Sequence, residues 1–276
     1  MPEYKVTKIL DQGTSNPIVN RLGLHFFDIL DRNLKDLPEK RKEKIKQHLF
    51  ECMKDLLKAE ELKNAYITTE NQAIQKIMSK NRLQFQTHAF SYEDPTEILK
   101  KYFEDFLIRC VIAVRKVVKI ANIVFLKSID GPKELKEYLK TLFPPTSPEM
   151  KMIEEDSRWI KKLYDLRGKA EHEELNIERF EAIIPTEGRP VIKLPRLPSA
   201  GATLREYLEV TLDDCLTFCE DMTVIFLNTK CSEEVQIVLI PEGLRHKYQD
   251  FKYILDLKRE IKEQLYKGTN KTENDA

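Results

Sequence analysis

The segment from Asp94 to about Ser128 constrains this chain more than any other. Asp94-Pro95-Thr96-Glu97 has the form of a capping box with proline at the first helical position, and no further glycine or proline follows until Gly131. Phe103, Phe106, Cys110, Val114, Val117, Ala121 and Val124 recur at helical spacing, and Ile108, Val111, Ile112 and Val118 widen the stripe. A helix apolar over so much of its circumference must be covered by others, so it is predicted as the longest helix and central rod of a bundle. Phe106 to Leu126 is long enough to span a bilayer, but Arg109, Arg115, Lys116 and Lys119 interrupt it. It therefore reads as a core helix, and no membrane partner is expected.

Further helices surround the rod. Asn16-Pro17 starts one that carries Leu22, Phe26, Ile29 and Leu30; Pro38 starts a second that carries Ile45, Leu49, Cys52, Met53, Leu56 and Leu57. The two are expected as an antiparallel pair. Gln72 to Lys80 reads as a separate short helix, and the alternation of Leu83, Phe85, Thr87 and Ala89 as an extended segment. After the rod, Gly131-Pro132 and Pro144-Pro145 bracket a short helix, and Ser147-Pro148 caps the next, which carries Met152, Ile153, Trp159, Ile160, Leu163 and Leu166. Thr203-Leu-Arg-Glu206 is a second capping box and opens a helix with Leu204, Leu208, Leu212, Cys215, Cys219, Met222 and Phe226 on one side. Between them, Phe180 to Pro185 and Pro190 to Pro195 flank a turn and form a small β-hairpin-like excursion. Val235 to Ile240 is β-branched and extended, Leu244 to about Tyr266 is a final amphipathic helix, and Gly268 to Ala276 is a polar, disordered tail. The reading is an all-α bundle (91–230) with an accessory helical amino-terminal region (1–90) and a carboxy-terminal extension (231–276).

Composition limits the partners. The 276 residues hold 46 basic and 46 acidic side chains, so formal net charge is zero and any RNA contact must be local. Sequence-specific DNA binding is not expected. The basic run Arg41 to His48 lies on an amphipathic helix and reads as a solvated face, as do Asp213-Asp214 and Glu220-Asp221 on the later helix. Five cysteines occur without a CxxC pair, and Met1 to Lys8 has no leader pattern; reduced thiols and a cytoplasmic location follow. Cys215 and Cys219 share a helix face with no partner pair nearby in sequence, so they read as small hydrophobes and not as metal ligands. A phosphate loop, GxSxG, HExxH and a dinucleotide fingerprint are all missing, and no cofactor is expected.

The remaining chemistry is concentrated in Trp159 to Leu175. There the apolar ridge Ile160, Leu163, Leu166 ends in Arg167-Gly168-Lys169-Ala170-Glu171-His172. His moves protons near neutral pH and Arg stabilises an anionic oxygen, so the pair suits phosphodiester chemistry. The bare pattern is weak: Arg41 to His48 and Arg82 to His88 also fit the looser form R-x4-6-H. Residues five apart on a helix point about 140° apart. Arg167 and His172 therefore converge only if the helix breaks, and Gly168 is the predicted break. Arg109, Arg115 and Asn122 interrupt the apolar rod and are candidates to face this motif, with Tyr164 and Lys169 as further supporting candidates. The alternative is structural: Arg167 pairs with Asp165 or Glu171, and His172 lies on the surface or fixes a helix end.

In context, R-x4-H at the end of an apolar helix, between the rod and the helix from Leu204, resembles the signature of the HEPN superfamily, over roughly residues 92 to 230. The resemblance implies a homodimeric helical protein that cleaves RNA without metal, by attack of the ribose 2′-hydroxyl on the adjacent phosphate, often in defence or toxin systems. His172 would act as base or acid and Arg167 would stabilise the phosphate. Gly168 departs from the polar residue usual after the arginine, and Glu171, Glu173 and Glu174 place negative charge where a phosphate backbone would approach. The runner-up is a noncatalytic helical dimerisation and protein-interaction module.

Overall fold

The computed structural model describes residues 17–32, 37–79, 93–172, 175–183, 185, 189–248, 252–259 and 262. Helix predominates. A π-helical turn, Val19–Leu24, runs into α1 (His25–Arg32), followed by α2 (Glu39–Met78), α3 (Thr96–Phe125), α4 (Pro132–Leu139), α5 (Pro148–Glu171) and α6 (Leu204–Asn228). Among the described residues, strands occur as three antiparallel ribbons: β1 (Glu181–Ile183) with β2 (Val191–Lys193), β3 (Arg196–Leu197) with β4 (Ala202–Thr203), and β5 (Val235–Leu239) with β6 (Tyr253–Leu257).

As its stripe requires, α3 is central and packs against α2, α5 and α6. Specific pairs fix the directions. Arg109 reaches Asp55 at 3.1 Å and Lys116 pairs with Glu51, so α2 runs antiparallel to α3. Edge-to-face contacts of Phe103 with Tyr207 and of Phe125 with Phe226, at 5.6 and 5.5 Å, set α6 parallel to it. Buried side chains from Ile18 to Ile237 form one continuous core, in which the amino-terminal helices share. Among the described residues, no helix is long and apolar enough to cross a membrane.

The helix starts follow the local chemistry. Ser147 Oγ accepts the Met150 N–H at 3.2 Å, and Thr203 and Glu206 complete a reciprocal capping box. At α3 the expected box does not form: the helix starts at Thr96 with Pro95 as its uncapped N-terminal residue, and Asp94 instead accepts the Thr96 N–H at 2.9 Å and its hydroxyl at 2.5 Å. The Thr96 hydroxyl in turn accepts the Phe180 N–H at 3.1 Å, which pins the segment after α5 to the start of α3. At the other end of α3, Leu126 is left-handed with φ 55° and closes the helix three residues before the expected Ser128 limit is passed.

Three expectations are corrected. α2 has 40 residues and exceeds α3 with 30, because the predicted short helix at Gln72–Lys80 is its continuation as far as Met78. No glycine or proline interrupts it, and the fully buried Glu70 is held by Arg205 at 2.6 Å and by the Tyr66 hydroxyl at 3.2 Å. The final helix predicted from Leu244 is instead a 3-10 segment, Glu242–Tyr248, followed by strand β6. Pairing with β5 satisfies backbone groups that a lone strand would expose. Asn228 clamps this ribbon to α6, accepting the Ile237 N–H at 2.7 Å and donating to its carbonyl at 3.0 Å. Last, Glu220 and Asp221 belong to no solvated face: both are buried, while Asp213 is exposed as expected. The extended segment expected at Leu83–Ala89 and the polar tail lie outside the described residues.

Candidate functional site

The motif occupies the end of α5. This helix passes through Gly168 without a break and ends at Glu171, with His172 as the capping residue and its N–H directed to the Gly168 carbonyl at 3.3 Å. The predicted break is therefore absent. Helical geometry leaves Arg167 and His172 about 7.5 Å apart along the axis and about 140° apart around it, so one chain does not converge them. His172 is exposed. Glu173 and Glu174 lie outside the described residues.

Arg167 pairs with Glu171 one turn on, the structural arrangement weighed above. Its buried Nε has no hydrogen-bond partner among the described residues. Tyr164 stands one turn earlier, and the Arg115 guanidinium lies 5.7 Å from the centre of its ring. Burial pushes the Tyr164 phenol above its ordinary range, while Arg115 and Arg167 draw it back. The result is a cationic and phenolic cluster across the α3–α5 seam. Next to it, Glu97, Lys100, Lys101, Glu104, Ala170 and Glu171 line a polar depression.

The other supporting candidates divide. Arg115 faces the motif helix; Arg109 does not, since Asp55 holds it toward α2. Asn122 has a structural task, donating to the Ile129 carbonyl and accepting the Ile129 N–H, both at 3.0 Å, which closes the turn from α3 to α4. Lys169 is exposed.

Gly168 has open space where a Cβ would stand, and its backbone is helical. Gly168→Ala is accordingly expected to stabilise the protein by about 0.5–1 kcal/mol, read from urea denaturation. A loss of stability would show that this position needs glycine after all.

Two groupings escaped the sequence because they join distant segments. Cys215 and Cys219 do have neighbours: Cys52 of α2 approaches Cys219 at 3.4 Å Sγ to Sγ, and the free thiol of Cys110 of α3 lies beside Cys215. All four thiols are buried, and burial pushes those of Cys215 and Cys219 well up, which makes them poor nucleophiles. Among the described residues, no three or more His, Cys, Asp or Glu are placed to hold a metal ion. The second grouping is acidic. Asp156 is pushed up to about 6 by burial and by Asp221 and Asp214, against the pull of the Trp159 N–H, which it accepts at 2.9 Å. Asp221 accepts from Lys252 at 2.5 Å and from the Tyr253 hydroxyl at 2.7 Å.

No protein-family model matches this chain, and no curated protein or solved structure matches it significantly.

Proposed function

We propose that this chain is a metal-independent endoribonuclease or RNA-processing factor of HEPN type, acting in the cytoplasm as a homodimer in a defence or toxin setting. The observation that carries the reading is the open end of α5, where an exposed His172 follows Arg167 on a helix packed against the apolar rod. Since one helix end holds the two side chains apart, the reaction needs a cleft in which two copies face each other. There His172 takes the proton of a ribose 2′-hydroxyl, the resulting oxygen attacks the adjacent phosphorus, and the 5′-oxygen leaves with a proton from the second chain's acid. The guanidinium of Arg167 stabilises the phosphate oxygens as charge builds on them. Arg115 of α3, stacked on the Tyr164 ring beside the motif, adds a second cation near the site.

A second reading is favoured by the Arg167–Glu171 pair, which engages the cation within its own helix. On that reading the protein is a noncatalytic helical dimerisation and protein-interaction module.

Incubating RNA with the purified protein in excess chelator separates the two. Wild type is expected to cleave, and His172→Ala to abolish cleavage with its melting temperature essentially unchanged, since the side chain is exposed. Cleavage that survives in His172→Ala removes the assigned role. A wild type that dimerises but never cleaves supports the second reading.

A further inference from the structure

The basic run near the start of α2 turns out to face more than solvent. Phe27 of α1 and Lys40, Glu43, Lys44, Lys46, Gln47 and Phe50 of α2 line an open groove between the two helices. At 100° per residue, Lys40, Lys44 and Lys54 fall within about 80° of one line, spread over about 21 Å of helix axis. All three are exposed, and among the described residues no carboxylate pairs with them. The acids of this face are already engaged: Glu43 by Lys46 at 2.8 Å, Asp31 by Lys46 at 2.7 Å, and Glu51 by Lys116. The floor is aromatic. Phe27 and Phe50 are half-buried, and Lys54 Nζ lies 4.8 Å from the Phe50 ring centre.

Lysines without carboxylate partners beside aromatic rings, in a chain with no net charge, suit a ligand that is anionic along one edge and flat along the other. We propose that the α1–α2 groove binds single-stranded RNA, with Lys40, Lys44 and Lys54 on phosphates spaced along the strand and a base against Phe50. An acidic peptide would satisfy the lysines and leave the rings without a partner; a membrane surface would need the apolar groups to protrude, whereas here they form the floor. The proposal rests on the reading of RNA as substrate and adds a second, noncatalytic contact that holds the strand.

The test uses the full-length protein in a His172→Ala background, titrated into a fluorescein-labelled oligouridylate of about twelve nucleotides and followed by anisotropy over a range of KCl. Combined Lys40→Gln, Lys44→Gln and Lys54→Gln substitutions keep most of the aliphatic stems and leave the fold intact. They are expected to weaken binding at least about tenfold at low salt and to reduce the slope of log K against log salt by about 2, three contacts at about 0.7 each. Phe50→Leu is expected to weaken binding several-fold at every salt concentration with the slope unchanged. An unchanged affinity in the triple variant overturns the groove, and so does capture of phosphatidylserine vesicles without capture of the oligonucleotide. The two readings fail separately: groove-dependent binding by a protein that never cleaves RNA removes the nuclease, while His172-dependent cleavage indifferent to the three lysines removes the groove.

Discussion

Arg21→Ala is expected to destabilise the protein by about 3–5 kcal/mol, the cost of leaving a buried charge without its partner. Arg21 lies in the π-helical turn before α1, and its Nε donates to Glu220 Oε2 at 2.8 Å while a second nitrogen of the same guanidinium also reaches that oxygen. Glu220 is fully buried. Burial pushes its carboxyl up and Arg21 draws it down, so the guanidinium is what keeps a charge tolerable at that depth. Without Arg21 the carboxylate must either stay charged in the core or take up a proton. Guanidinium denaturation of Arg21→Ala at pH 7 measures the loss. The double variant Arg21→Met with Glu220→Leu is the sharper arm: removing both charges should restore most of the stability, because a buried pair replaced by apolar side chains of similar volume is close to neutral. A single variant within about 1 kcal/mol of wild type would mean that the pair does not hold the amino-terminal turn to α6.

Asp156→Asn is expected to act in the opposite direction and only in part of the pH range. Asp156 is raised from 3.8 to about 6 in the folded protein, so the native state binds its proton more tightly than the unfolded chain does. The resulting stabilisation is fully present below about pH 4, falls as pH rises, and is gone above about pH 6. Two units correspond to about 2 kcal/mol once residual screening is allowed for. Asparagine stays uncharged throughout and can still accept the Trp159 N–H. The variant should therefore match wild type at pH 4 and exceed it by about 2 kcal/mol at pH 7, as read from paired denaturation curves. Equal stability at both pH values would show that solvent reaches the carboxylate.

These two variants probe what the chain's local patterns could not reveal. The rod at α3, the capping residues Ser147 and Thr203 and the β1–β2 hairpin were all legible, because each depends on neighbours within a few residues. The join of Gln72–Lys80 to α2 was not, since Glu70 is held by Arg205, 135 positions away. β6 was read as helix because its apolar residues also suit a 3.6-residue period; the unpaired edge of β5 decides the matter, and a period cannot report an edge. Glu220-Asp221 looked like a solvated pair for the same reason, their partners Arg21, Lys252 and Tyr253 being remote in sequence. At the motif, the sequence placed Arg167 near the end of α5 but overrated Gly168, through which the helix continues to Glu171. A single glycine costs a helix about 1 kcal/mol, too little to break one anchored by Ile160, Leu163 and Leu166 in the core.

Cys52, Cys110, Cys215 and Cys219 sit where α2, α3 and α6 meet, shut away from solvent, whereas Cys231 beyond α6 is only half-buried. A thiol reagent can reach the four only when those three helices part together. The chain thus contains its own timer for cooperative opening: the lag between the modification of one thiol and that of the other four is set by the lifetime of the closed bundle.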